Sequence, residues 1–148
     1  MKIINDFFMS RNSRRGFTMI ELLVVLAIIG LLVSLILVSL GSIKARSRDV
    51  RRVVDIDVFI KALNLYNNSF SVYPIYDGYI TGEDPLSDAL RNSSVLSSIP
   101  LDPTNKQVGS IIYKYDYFSD GTNFQIQYCM ETDSVPNTNQ GCGNYARP

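Results

Sequence analysis

Between Phe17 and Ile43 the chain carries 27 consecutive residues among which Glu21 is the only one that ionises. At about 1.5 Å per residue this is roughly 40 Å of helix, more than a ~30 Å hydrocarbon core requires. A helix that is apolar on every side has to be covered by lipid or by other apolar helices. Glu21 breaks that pattern five residues in. A lone charge near the centre of a membrane helix costs about 2.5–3.5 kcal/mol on insertion scales. The identity of whatever receives this carboxylate therefore bears directly on function.

Basic residues flank the run on both sides: Lys2, Arg11, Arg14 and Arg15 before it, then Lys44, Arg46, Arg48, Arg51 and Arg52 after it. Positive charge at both ends means that charge counting does not orient the segment. The second basic group has no interleaved aromatic residues and reads as a membrane-edge face rather than a nucleic-acid patch. With 148 residues there is room for one domain beyond the apolar run. The absence of histidine removes the commonest general base and the commonest metal ligand together. Nothing in the sequence positions a Ser–Lys or carboxylate pair instead, so no catalytic residue, cofactor or metal is expected. The two cysteines, Cys129 and Cys142, close a short polar loop near the C-terminus. That arrangement suggests a disulfide and an oxidising compartment, two unpaired thiols being the alternative. A zinc site would need further ligands.

Three readings compete for the N-terminal run. A secretory signal has an apolar core of about 7–15 residues and a small-residue cleavage pattern; this run is too long, and no A-x-A pattern follows it. A plain membrane anchor accounts for the length but not for Glu21, nor for Gly16 between the basic pair and the first apolar residue. The segment RRGFTMIELLVVLAIIGLL, from Arg14 to Leu32, closely resembles the class III signal of type IV pilins and type II secretion pseudopilins. The resemblance implies that a prepilin peptidase cuts between Gly16 and Phe17 and methylates Phe17 as the new N-terminus. Glu21 matches the glutamate of that family. Cutting there creates a positively charged α-amine one helical turn before Glu21 and on the same face. The carboxylate can then meet the amine of its own chain or of a neighbour in an assembly, which relieves the burial cost. Many family members carry a proline further along this helix, where ungapped alignment places Val38. Gly30, Gly41, Ser34, Ser39 and Ser42 are the softer points here, either for local unwinding or for close helix packing.

The helix is expected to continue. KARSRDVRRVVDIDVFIKALNLYNN, from Lys44 to Asn68, contains no Gly or Pro. Val53, Ile56, Ile60 and Leu63 recur at helical spacing with Phe59, Ala62 and Tyr66 alongside, while Arg48, Arg51, Arg52, Asp55 and Lys61 supply polar positions. The pattern predicts one helix from about Thr18 to Tyr66, apolar all round at first and amphipathic later. Residues 70–110 read as loop with one short helix, capped by Asp84, opened by Pro85, with Leu86, Leu90 and Val95 inward and Pro100 as the stop. In IIYKYDYFSDGTNFQIQYCM the pair Asp120-Gly121 favours a two-residue hairpin turn. Folding about it pairs Tyr117 with Phe124, Tyr115 with Ile126, Tyr113 with Tyr128 and Ile111 with Met130 on one apolar face. Asp116 with Gln125 and Lys114 with Gln127 form the polar face, where Cys129 also falls.

The fold class expected is α+β, pilin-like: a long N-terminal helix, transmembrane in its first half, packed against a small antiparallel β-sheet. Residues 1–16 read as a basic leader peptide and 17–43 as transmembrane helix and filament core segment. Residues 44–69 read as the amphipathic continuation and 70–148 as a globular head with a β-hairpin and a C-terminal disulfide loop. The family resemblance implies such a disulfide between Cys129 and Cys142. LDPTN at Leu101–Asn105 is similar to the aspartate-proline segment that precedes a calcium loop in major pseudopilins. In DYFSDG, however, Phe118 occupies the third EF-hand position and no glutamate stands at the twelfth. A hairpin turn plus a proline bend is the simpler reading. Functionally the resemblance implies a structural subunit of a type IV pilus-like filament or secretion pseudopilus, and not an enzyme. Its partners would be a prepilin peptidase, other pilin or pseudopilin subunits, a membrane assembly platform and the lipid bilayer, without direct nucleic-acid binding. It would sit in the cytoplasmic membrane as a single-pass protein with its C-terminus outside, then in a cell-surface or periplasmic filament. An uncleaved, membrane-tethered extracytoplasmic binding domain is the alternative.

Overall fold

The computed structural model describes residues 16–148. The leader bases Lys2, Arg11, Arg14 and Arg15 lie outside the described residues. The chain divides into two units, the first ending at Ser39 and the second running from Leu40 to Pro148.

Helix α1 spans Met19–Phe70. In the first unit its described side chains are exposed, Leu22, Leu26 and Ile29 among them. By length and composition α1 is able to cross a membrane. It ends as helices often do, with a residue in the left-handed region: Ser71 has φ 59°, and its N–H donates to the Asn67 carbonyl at 2.7 Å. Pro74 follows and cannot continue a helix.

In the second unit α1 buries Ile56, Phe59, Ala62 and Leu63. The predicted stripe is thus rotated slightly, since Val53 and Ile60 are only half-buried. Two positions read as polar surface need correction. Arg52 and Asp55 are buried, together with Asp49. Residues 49, 52, 56, 59 and 63 share one helical face, so that face enters the head whatever its polarity, and the head must supply partners.

The head is built from β1 (Tyr76–Tyr79), α2 (Pro85–Asn92), β2 (Lys106–Val108), β3 (Ile111–Tyr113), β4 (Asp116–Ser119), β5 (Phe124–Met130) and β6 (Gly141–Ala146). Strands β1, β4, β5 and β6 form an antiparallel sheet in the order β1-β4-β5-β6, while β2 and β3 form a separate pair. Asp84 caps α2 through the Ser87 amide, with Pro85 in first place. Leu86 and Leu90 are fully buried, and Val95 packs against the core. The helix stops at Asn92, well before Pro100, because Ser93 Oγ donates back to the Ala89 carbonyl and Ser94 turns left-handed at φ 57°.

The β4–β5 hairpin has the predicted faces but not the predicted register. Tyr117 lies opposite Ile126 and Ser119 opposite Phe124, a slip of two residues. The loop holds four residues rather than two, because the Asp120 carboxylate accepts both the Thr122 and Asn123 amides at 2.9 Å. A slip of two keeps every side chain on its own face, so Tyr115, Tyr117, Phe124, Ile126 and Tyr128 all remain in the core. The expected pairs Tyr113–Tyr128 and Ile111–Met130 do not form. The Lys114 N–H turns back to the Ile112 carbonyl, and β3 pairs with β2 instead.

The apolar face of the sheet covers α1. Phe59 meets the Tyr115 ring edge-on at 5.9 Å, and Tyr73 meets Phe124 at 4.9 Å. The hydroxyls of the two fully buried tyrosines are satisfied, Tyr115 donating to Asp55 Oδ2 and Tyr117 to the Pro74 carbonyl, each at 2.9 Å.

Candidate functional site

Gly16, Phe17 and Thr18 precede the helix without regular structure, and Gly16 and Phe17 are exposed. A Cβ added at Gly16 would meet nothing within 4 Å, so its lack of a side chain answers no packing need among the described residues. Glu21 sits in the first turn of α1. Its Oε2 accepts the Thr18 amide at 3.0 Å and the Thr18 hydroxyl at 2.9 Å, while Thr18 Oγ1 accepts the Glu21 amide at 3.2 Å. This reciprocal arrangement is a capping box. It satisfies orphan N–H groups of the first turn and holds a negative charge at the positive end of the helix dipole. Glu21 thus has a hydrogen-bonding partner within its own chain, although Thr18 cannot neutralise its charge. The reading from residues alone started the helix at Thr18 but did not pair Thr18 with Glu21. The Thr-x-x-Glu spacing at Thr18–Glu21 carried that signal.

A second polar cluster lies inside the head. The Arg52 guanidinium is fully buried and forks onto Asp102, Nε to Oδ2 at 2.7 Å and Nη2 to Oδ1 at 3.1 Å. Nη1 donates to Asp49 Oδ1 at 2.7 Å and to Glu131 Oε1 at 2.8 Å, and Nη2 to Thr104 Oγ1 at 2.9 Å. Asp49 also accepts the Glu131 and Thr132 amides and the Thr132 hydroxyl, which pins the start of the C-terminal loop to α1. Arg48 makes a two-point contact with Glu131 at 2.7 and 2.5 Å. That hydrogen bond is the largest influence drawing the Glu131 carboxyl down to about 2, with burial opposing and Arg52 assisting. On Arg52, burial opposes the charge, but bonds from Asp102, Glu131 and Asp49 outweigh it and raise its pKa. Such a network is a structural lock, since among the described residues no buried side-chain donor or acceptor lacks a partner.

Cys129 and Cys142 are joined as a disulfide between β5 and β6. It lies beside the irregular step between Tyr128 and Met130, and Cys129 is buried there. Asp102, in the segment similar to a calcium-site approach, spends both oxygens on Arg52 and on the Thr104 and Asn105 amides. The sites named from sequence therefore fall into two places, Gly16, Phe17 and Glu21 at the start of α1 and the cysteine pair in the head.

The prokaryotic N-terminal methylation motif family matches residues 11–40, which include Gly16, Phe17 and Glu21. Among curated relatives, the type II secretion system core protein G of Klebsiella michiganensis is 30% identical over 93% of this chain and 96% of its own. The proteins of the same name from Vibrio cholerae and Pectobacterium carotovorum are 29% and 24% identical, over 72% and 95% of this chain and 71% and 90% of theirs. No solved structure matches the chain. With an identity of that level across nearly the whole length of both proteins, the chain belongs to the type II secretion system core protein G family.

Proposed function

We propose that this protein is a structural subunit of the type II secretion pseudopilus, matured by cleavage after Gly16 and N-methylation of Phe17. The observation that carries the reading is the N-terminal site: an exposed, non-helical Gly16–Phe17 bond followed at once by a capped apolar helix. A prepilin peptidase would reach that bond without unwinding α1. Cleavage would free a cationic amine on Phe17, next to the Thr18 amide that Glu21 already holds. Thr18 stays in the mature chain, so the capping box survives and keeps the carboxylate at the helix start. Among the described residues Glu21 Oε1 accepts no hydrogen bond. It is therefore available to the amine of the same subunit or of the next one docked against it. The pairing would lower the cost of placing both charges among apolar helices.

In this reading α1 anchors the subunit in the cytoplasmic membrane as a single span, and the head lies outside, where a disulfide persists. Other pseudopilin subunits and a membrane assembly platform are the partners. The names of the relatives favour secretion over a surface pilus. The intact mass of the membrane-purified protein tests the processing: loss of residues 1–16 plus one methyl group is expected, and a full-length mass would return the reading to an uncleaved tether. Glu21→Gln tests the pairing, because it keeps shape and capping but not charge. Processed Glu21→Gln subunit is expected to accumulate in membranes with few filaments. Wild-type filament yield from that variant would refute the role given to the charge.

A further inference from the structure

The five bases that follow the apolar run are not one surface. Arg48 and Arg52 turn into the head, where Glu131, Asp49 and Asp102 hold them. Arg51 is mostly exposed and stands 3.8 Å from Asp55 Oδ2. Lys44 and Arg46 are exposed, and among the described residues neither has an ion pair or hydrogen bond. Both lie within one turn, about 5 Å of rise, of Ile43 at the end of the apolar run. A run of roughly 40 Å fills a ~30 Å hydrocarbon core and extends into the headgroup layer. Long cationic side chains at that level keep their stems along apolar surface and their charge in the headgroups.

We propose that Lys44 and Arg46 bind anionic phospholipid headgroups while the subunit resides in the membrane, and that Arg48 and Arg52 take no part. The inference rests on the membrane-spanning reading of α1. Charge complementarity selects the occupant. The two side chains bring only donors and positive charge, at the depth where phosphate oxygens are concentrated, and no carboxylate of the head engages them. Each such base favours an anionic surface roughly fivefold. The consequence for assembly is that a subunit leaving the bilayer must exchange these contacts for contacts with its neighbours. The lipid composition of the membrane then tunes how readily subunits are extracted.

The test uses the full chain in nanodiscs of phosphatidylcholine with one-fifth phosphatidylglycerol, with retained lipids counted by native mass spectrometry after partial delipidation. Wild type should retain phosphatidylglycerol above its bulk share, and less so at high salt. Lys44→Gln and Arg46→Gln should each reduce that preference roughly fivefold, and the double variant should lower it further, to the level that the leader bases sustain. Arg51→Gln removes the same charge about 8–10 Å further along the helix, close to a Debye length away, and should retain lipid nearly as wild type does. All variants keep residues 1–16, so the bases of the leader contribute equally. Equal phosphatidylglycerol retention by wild type and double variant would overturn the inference, as would an Arg51→Gln loss matching that of Lys44→Gln. A chain that fails to enter the nanodisc would overturn the membrane-spanning reading itself, and this inference with it.

Discussion

Arg52→Met removes a charge but little volume from the centre of the head. Its guanidinium is fully buried, serves Asp102, Asp49 and Glu131, and lies 4.8 Å from the Tyr113 ring centroid. Removing one partner of a buried ion pair typically costs about 3–5 kcal/mol, because the other charge is left uncompensated. Two acceptors keep some help: Asp102 retains the Thr104 and Asn105 amides, and Asp49 those of Glu131 and Thr132. The lower end, about 3 kcal/mol, is therefore expected, equivalent to a fall in Tm of about 12–20 °C for a unit of this size. Arg48→Met is the comparison. Its side chain is 36% exposed, so solvent screening limits the loss to about 1 kcal/mol. Tyrosine near-UV circular dichroism of the full chain in detergent reports the head specifically, since the apolar helix stays folded in a micelle. Adding Asp102→Asn to Arg52→Met should cost less than the sum of the single changes, because the carboxylate it removes has already lost its partner. An Arg52→Met head that melts within a few degrees of wild type would refute the assignment of Arg52 as the lock.

Three further outcomes are expected. The folded Glu131 carboxyl lies near 2 rather than 4.5, a depressed value. Its contribution, about 2–3 kcal/mol, is therefore complete above pH 5 and lost as pH falls toward 2; Tm should drop across that window, less steeply in Arg48→Met, and a flat wild-type profile would contradict the pairing. Gly16→Val should leave the fold unchanged, since its side chain meets nothing, yet abolish the processed form on immunoblots of membranes; normal processing would remove Gly16 from the argument. Tyr115→Phe removes the donor to Asp55 and should cost about 1–2 kcal/mol in urea unfolding, with no loss at all showing that Asp55 is served by solvent instead.

Legibility from sequence followed the range of the interaction. The apolar run, the length of α1 and the Asp84–Pro85 start of α2 rest on periodicity and on contacts within three or four residues, and all are found in the structure. The hairpin faces were legible for the same reason. Its register was not, because the choice between a two- and a four-residue loop hung on where the Asp120 side chain placed its hydrogen bonds. The Gly109-Ser110 turn between β2 and β3 left a usable signal, whereas β1 and β6 are mixed in polarity and become strands only by lying beside β4 and β5.

Arg52 marks the boundary most clearly. In sequence it belongs to a run of bases; helical spacing places it, unlike Arg51, on the face of Ile56, Phe59 and Leu63, but nothing local supplies partners for its charge. Its partners Asp102 and Glu131 stand 50 and 79 residues away, and only closure of the head over α1 brings them to it. Sequence alone determined that the first half of α1 must be covered by something apolar and that Glu21 needs a partner, because both follow from the cost of exposing or burying a single segment. Which bases are locked inside and which stay free depends on the direction each side chain takes once the sheet is in place. Helical spacing sets that direction, but which carboxylates meet the base at the end of it is a property of packing, and no spacing along the chain encodes it.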